Sequence, residues 1–142
     1  MAHGLKITNA AASAGVDAQT ALVDGGVVRL YDGTKPADAD TAPTAAEHVL
    51  SEHTLSATAF LPAEDGVAAA DAIADDTDAA ATGNASWARF VAADTTTGVW
   101  DCTVGPITDP QTVPWDILMP TVAIQEHAKV EFPSFTYTGS KG

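Results

Sequence analysis

The large apolar residues of this chain come in short β-branched and aromatic runs, each cut off by Gly, Pro or Asp-Gly. That punctuation predicts short strands joined by turns. The clearest pair is residues 86–93 and 99–104. In the first, Trp87, Arg89 and Val91 alternate with Ala88, Phe90 and Ala92, so the two sets face opposite sides of a strand. Asp94-Thr95-Thr96-Thr97-Gly98 then supplies a glycine-bearing connection for an antiparallel hairpin.

The other runs fit the same scheme. Residues 27–31 end at Asp32-Gly33 and read as a strand, and residues 49–60 hold one bent strand or two short ones. Over residues 66–73 alanine favours helix, whereas Val67 and Ile73 on one parity favour a strand, which is preferred. Pro106, Pro110, Pro114 and Pro120 leave room only for a short piece around residues 115–119. Strands near 121–124 and 129–138 close the chain, Pro133 forcing a bulge or an edge position in the last. Residues 34–46 and 75–83 read as loops, the first long and exposed because it has no large apolar residue to bury.

One helix precedes this, over residues 8–23, with Thr8 or Asn9 as its cap and Gly25-Gly26 as its stop. Ala12, Val16 and Val23 form a narrow stripe that Leu22 widens, suited to close approach of a sheet or a neighbouring subunit. The expected fold is mainly β, an antiparallel β-sandwich or jelly-roll-like barrel with one N-terminal α-helix. It makes one domain over residues 1–142, the helix at about 8–24 and the sandwich at about 27–138.

Leu, Ile, Val and Phe number only 28 of 142 residues, so the isolated core is small and a homo-oligomer or a docked state is expected. The helix flank and residues 34–46 are the expected contact segments, the loop reaching over a neighbour. With 19 acidic residues against 6 Lys plus Arg and a net charge of −13, the chain has no clustered positive charge for phosphate backbones or anionic lipid. Nucleic acid and membrane are therefore not expected as partners. A lone cysteine, Cys102, excludes an intrachain disulfide, and without a long apolar run or a basic leader the chain reads as soluble, with no signal peptide.

Little in the sequence points to catalysis. His3, His48, His53 and His127 read as surface residues, since His48 and His53 fall on opposite strand faces and none has a neighbouring ligand pair. Asp71, Asp75, Asp76 and Asp78, like Asp38 and Asp40, lack the alternation, glycine and closing glutamate of a calcium loop. Cys102 reads as a small buried hydrophobe, and Asn84-Ala85-Ser86 as a chance match to a glycosylation site. Arg89, between Trp87 and Val91, is suited to stacking on a ring or pairing with a carboxylate across the sheet or an interface. No catalytic, cofactor-binding or metal-ligating residue is assigned, and no cofactor is expected.

Several segments carry a resemblance. They are Arg29-Leu30-Tyr31-Asp32-Gly33-Thr34-Lys35-Pro36-Ala37-Asp38-Ala39-Asp40-Thr41-Ala42, residues 55–60, Asp65-Gly66-Val67-Ala68, and Ala80-Ala81-Thr82-Gly83-Asn84-Ala85-Ser86-Trp87-Ala88-Arg89-Phe90, with residues 101–105 and Ser134-Phe135-Thr136-Tyr137-Thr138. Together they resemble a group of small virion proteins of tailed phages and prophages. The chain departs from that pattern in the proline-rich residues 105–120 and at His127-Ala128, where the group would have a glycine turn. The resemblance implies a virion location, a shared fold rather than a shared reaction, and a partner such as the major capsid protein or another virion protein. The implied role is capsid decoration or cement, ahead of a tail or neck subunit. A carbohydrate- or host-binding module, with exposed Trp115 as its platform, is the reading from another class.

Overall fold

The computed structural model describes residues 6–107 and 116–138. Its one α-helix, α1 (Asn9–Thr20), starts where the Thr8 hydroxyl accepts the Ala11 amide at 3.0 Å. A 3₁₀ turn (Ala21–Val23) continues it, and the chain leaves through Gly25, whose φ of +69° is the left-handed conformation open to glycine. Ala12, Val16 and Val23 are buried as their spacing predicts, and Thr20 completes the stripe. Leu22, expected to widen it, is 58% exposed because the tighter 3₁₀ turn rotates it off that face.

Among the described residues nine strands follow: β1 (Val27–Tyr31), β2 (Val49–Thr54), β3 (Val67–Ala69), β4 (Gly83–Asn84), β5 (Trp87–Val91), β6 (Gly98–Pro106), β7 (Ile117–Met119), β8 (Ala123–Ile124) and β9 (Thr136–Thr138). Five of them form the main sheet in the order β2-β1-β5-β6-β7, curled into a half-barrel. The fold is thus mainly β with one N-terminal helix, as the punctuation implies. Gly26 sits where the chain crosses this sheet so closely that a Cβ would stand 1.9 Å from the Val91 carbonyl oxygen.

The hairpin of β5 and β6 forms as expected, with Phe90 opposite Trp100 and Ala88 opposite Cys102. Its turn is tied by Asp94, whose carboxylate accepts the Thr97 hydroxyl and the Thr96 and Thr97 amides. Those donors, Thr97 first, hold the Asp94 carboxyl down at about 2. One pairing departs from the antiparallel expectation, since β7 runs parallel to β6 with Val104 beside Ile117. Parallel neighbours cannot be joined by a tight two-residue turn, which is why the hairpin expectation does not extend to this pair. Most of that connection, with Pro110, Pro114 and Trp115, lies outside the described residues.

The second layer consists of α1 and two short ribbons, β3 with β9 and β4 with β8. Here the expected strands shrink. Residues 66–73 yield only β3, and the parity is reversed, with Ala68 buried and Val67 turned out. Three residues are too few for alternation to fix a face, so pairing with β9 beneath the helix decides it. Residues 129–138 likewise reduce to β9 and a single bridge from Val130 to Asp76.

Alternation along the central strands defines two faces. Val28, Leu30, Ala88, Phe90, Cys102 and Val104 join the core cluster with Val16, Val23, Phe60 and Phe135. Trp100 and Tyr137 pack at its margin, with ring centroids 4.5 Å apart. On the other face, Tyr31 stacks on Trp87 at 4.2 Å and 10°, flanked by Val27, Val91 and Arg89, all buried. Residues 34–46 fold back toward this second face. The Asp38 carbonyl lies 3.5 Å from Arg89, and the Ala39 carbonyl crowds Gly98. The loop thus touches its own sheet at these two points, and most of its residues are exposed.

Candidate functional site

Arg89 and Asp101 form the strongest polar feature of the fold. They sit opposite each other on β5 and β6, and Asp101 accepts two bonds from the guanidinium, at 2.7 and 2.9 Å. Their side chains are 7% and 5% exposed, and the guanidinium carbon lies 5.5 Å from the centre of the Trp87 ring. Both roles foreseen for Arg89, stacking and pairing, are filled within the chain. The Asp101 bond and the nearby negative charge keep the guanidinium firmly protonated. A planar fork locked between a carboxylate and a ring holds strands together and has no proton to exchange.

His53 corrects the surface reading of the histidines. It is fully buried on β2, opposite Val28 and therefore on the core face, with its ring tilted on Phe132 at 5.1 Å. Nδ1 lies 2.8 Å from the Ala74 carbonyl oxygen and Nε2 lies 3.0 Å from the hydroxyl of Ser51, two residues earlier on the same face. Burial pushes the ring's pKa below its ordinary value of 6.5, outweighing the Ala74 carbonyl bond and then the charges of Asp76, Asp75 and Glu52, all of which favour the protonated ring. Sequence reasoning missed this cluster. Ser51 and His53 at strand spacing on one parity was the available signal, obscured because polar residues on a strand are usually taken to face water.

His48 and His127 are exposed. His48 contacts the Asp32 carboxylate through Nδ1 at 3.1 Å and through its amide at 2.6 Å, and the amide bond chiefly holds the Asp32 carboxyl below its usual range. His127 lies 2.7 Å from Asp78 and has a φ of +70° in the turn closed by the Ala128 amide on the Gln125 carbonyl. A glycine would relax that backbone. His3 lies outside the described residues.

The acidic stretch is bound up in its own contacts. Asp76 accepts the Glu52 and Asp78 amides, Asp71 accepts the Ala72 amide, and Asp75 lies 3.4 Å from Lys129. Asp38 accepts the Thr41 hydroxyl at 2.8 Å. Among the described residues no three His, Cys, Asp or Glu side chains are placed to hold a metal ion.

Cys102 is buried in β6, and burial first, then the Asp116 and Asp101 charges, push its thiol up to about 12. Such a thiol is inert as a nucleophile. Native protein is expected to react with a maleimide in mildly alkaline buffer only as fast as it unfolds. An immediate labelling burst would overturn that assignment.

Two of the several open clefts lined by described residues border large apolar side chains. One, of about 270 Å³, runs past Met119, Pro120, Ile124 and Val130, and the other, of about 370 Å³, past Trp100, Asp116 and Tyr137. The Trp100 indole Nε1 is enclosed and has no hydrogen-bond partner among the described residues. Neither of these two clefts is lined by a histidine beside a nucleophile.

The described residues make a small, mainly β fold with one N-terminal helix and a curled main sheet. The chain matches no protein-family model, no curated protein and no solved structure.

Proposed function

We propose that the chain is a non-enzymatic structural subunit of a tailed-phage virion, foremost a capsid decoration or cement protein, with a tail or neck subunit as the alternative role. The observation that carries this reading is the way the phage-like segments meet in space. The Arg29–Ala42 block and the Ala80–Phe90 block join through the Ser86 hydroxyl on the Gly33 carbonyl at 2.7 Å, the Trp87 indole on the Asp32 carbonyl at 3.0 Å, and the Tyr31–Trp87 stack. Residues shared with that group thus build the sheet, as expected where a scaffold is what is shared.

A decoration protein works by number and area. Many copies bury surface across capsomer junctions and so stabilise the closed shell by mass action. A small core and an acidic surface suit a subunit whose stability is completed on docking, with rim charges acting mainly on association rate and salt dependence. The carbohydrate-binding reading rests on Trp115 and the loop aromatics. Trp87 is wholly buried and Trp100 packs on Phe90 at 4.8 Å, which leaves Trp115, outside the described residues, as its platform.

Quantitative mass spectrometry of washed, purified particles tests the proposal. A copy number in fixed proportion to the major capsid protein supports decoration, and a small count matching tail symmetry supports the alternative. Absence from washed particles would overturn both.

A further inference from the structure

β2 is an edge strand of the main sheet, and its outer side is covered by chain that is not itself a strand. The Ala74 amide donates to the Thr54 carbonyl at 3.0 Å, and the Ala80 amide donates to the Leu50 carbonyl at 2.9 Å. Between them the Asp76 carboxylate accepts the Glu52 amide at 2.9 Å. Open sheet edges invite pairing with other chains, so a cover of this kind has a protective role. Only one side chain of β2 reaches from the core face to the backbone of the cover, and that is His53 on the Ala74 carbonyl.

The partners fix the ring's tautomer. A carbonyl can only accept, so Nδ1 carries the hydrogen, and Nε2 accepts from the Ser51 hydroxyl. Adding a proton at Nε2 turns a satisfied neutral relay into a charge enclosed beneath Phe132, facing a hydroxyl that must reverse its bond. The surrounding charges are Glu52 on β2, Asp75 and Asp76 on the cover, and Lys129 and Glu131 beside Phe132. Lys129 is shared between Asp75 and Glu131, and Glu52 is engaged by Arg29 of β1 at 2.6 Å.

We propose that the Ser51–His53–Ala74 relay is an acid-sensitive latch, which holds residues 71–80 over the edge of β2 and lets them go when His53 takes a proton. The sign follows from burial. A histidine kept neutral in the closed state contributes its full stability above its ordinary value of 6.5, and loses it as pH falls from there toward the lower closed-state value. The β5–β6 turn is an internal control, since Asp94 stays ionised down to about 2 and does not titrate in the same window.

Hydrogen exchange of the full chain, corrected for the intrinsic pH dependence of exchange, reads the latch directly. Between about pH 7 and about pH 5 the Ala74, Ala80 and Glu52 amides should lose protection by roughly tenfold, while the Phe90 and Cys102 amides hold theirs. His53→Asn places an amide N–H where Nδ1–H stood and cannot be protonated, so its cover should keep the same protection at both pH values. Should that variant not fold, nitrogen chemical shifts of the wild-type ring remain decisive, with an Nδ1–H tautomer and a midpoint below 6.5 expected. An Nε2–H tautomer would overturn the latch. So would a cover that keeps its protection after His53 is protonated, or equal losses in the hairpin.

Discussion

Replacing Trp87 by alanine is expected to cost about 3 to 5 kcal/mol, the range for deleting a large buried aromatic and leaving its cavity behind. The ring is fully buried, stacks on Tyr31, lies beside the Arg89 guanidinium and donates its indole hydrogen to the Asp32 carbonyl. Alanine would remove the stack and leave that carbonyl short of a donor at the Asp32-Gly33 turn. A domain of this size is stable by only about 5 to 15 kcal/mol, so the variant should sit close to its unfolding midpoint in plain buffer. Trp87→Phe keeps most of the stack and loses chiefly the hydrogen bond, for about 1 kcal/mol of that total. Urea unfolding followed by circular dichroism separates the two. A Trp87→Ala midpoint equal to wild type would refute the packing described for this face.

Asp101→Ala is expected to be comparably severe, at about 3 to 5 kcal/mol, because it strands the Arg89 charge in the sheet with no counter-ion. The loss is not the value of the pair. Replacing both partners together, with Arg89→Met and Asp101→Leu, should recover most of the stability, since desolvating two ions offsets much of their attraction. The Asp38 carbonyl accepts from the same guanidinium, so either single replacement should also loosen residues 34–46, visible as faster exchange at the Thr41 amide. If the double variant is less stable than the Asp101→Ala single one, the ion pair contributes more than its geometry implies. If all the variants unfold alike, the pair is not buried as described.

Much of this fold is legible from local chemistry. A threonine before an alanine-rich run marks the start of α1, and Gly25, at a positive φ that glycine adopts without strain, marks where the chain leaves the 3₁₀ turn that follows it. The β5–β6 hairpin is equally plain, with alternating large residues on both sides of an Asp-Thr-Gly connection. Cys102 between Trp100 and Val104 reads as buried because it shares their strand. These features depend on neighbours within a few residues, and the sequence displays those neighbours directly.

Other features depend on partners far along the chain. His53 needs Ala74, Arg89 needs Asp101 and Asp38, and Ala68 rather than Val67 turns inward only because β9 and the helix meet β3. The parallel placement of β7 and the fold-back of residues 34–46 are of the same kind.

The sequence by itself determined the mainly β character, the start of the helix, the central hairpin and a strongly negative net charge. Each follows from backbone preference, alternation or charge, which act over a turn or two. Only the tertiary structure decided which polar groups are buried, which face of a very short strand points inward, and which strands run parallel. Those outcomes come from long-range pairing and from the need to give every buried donor and acceptor a partner, and the periodicity of a few residues does not encode either.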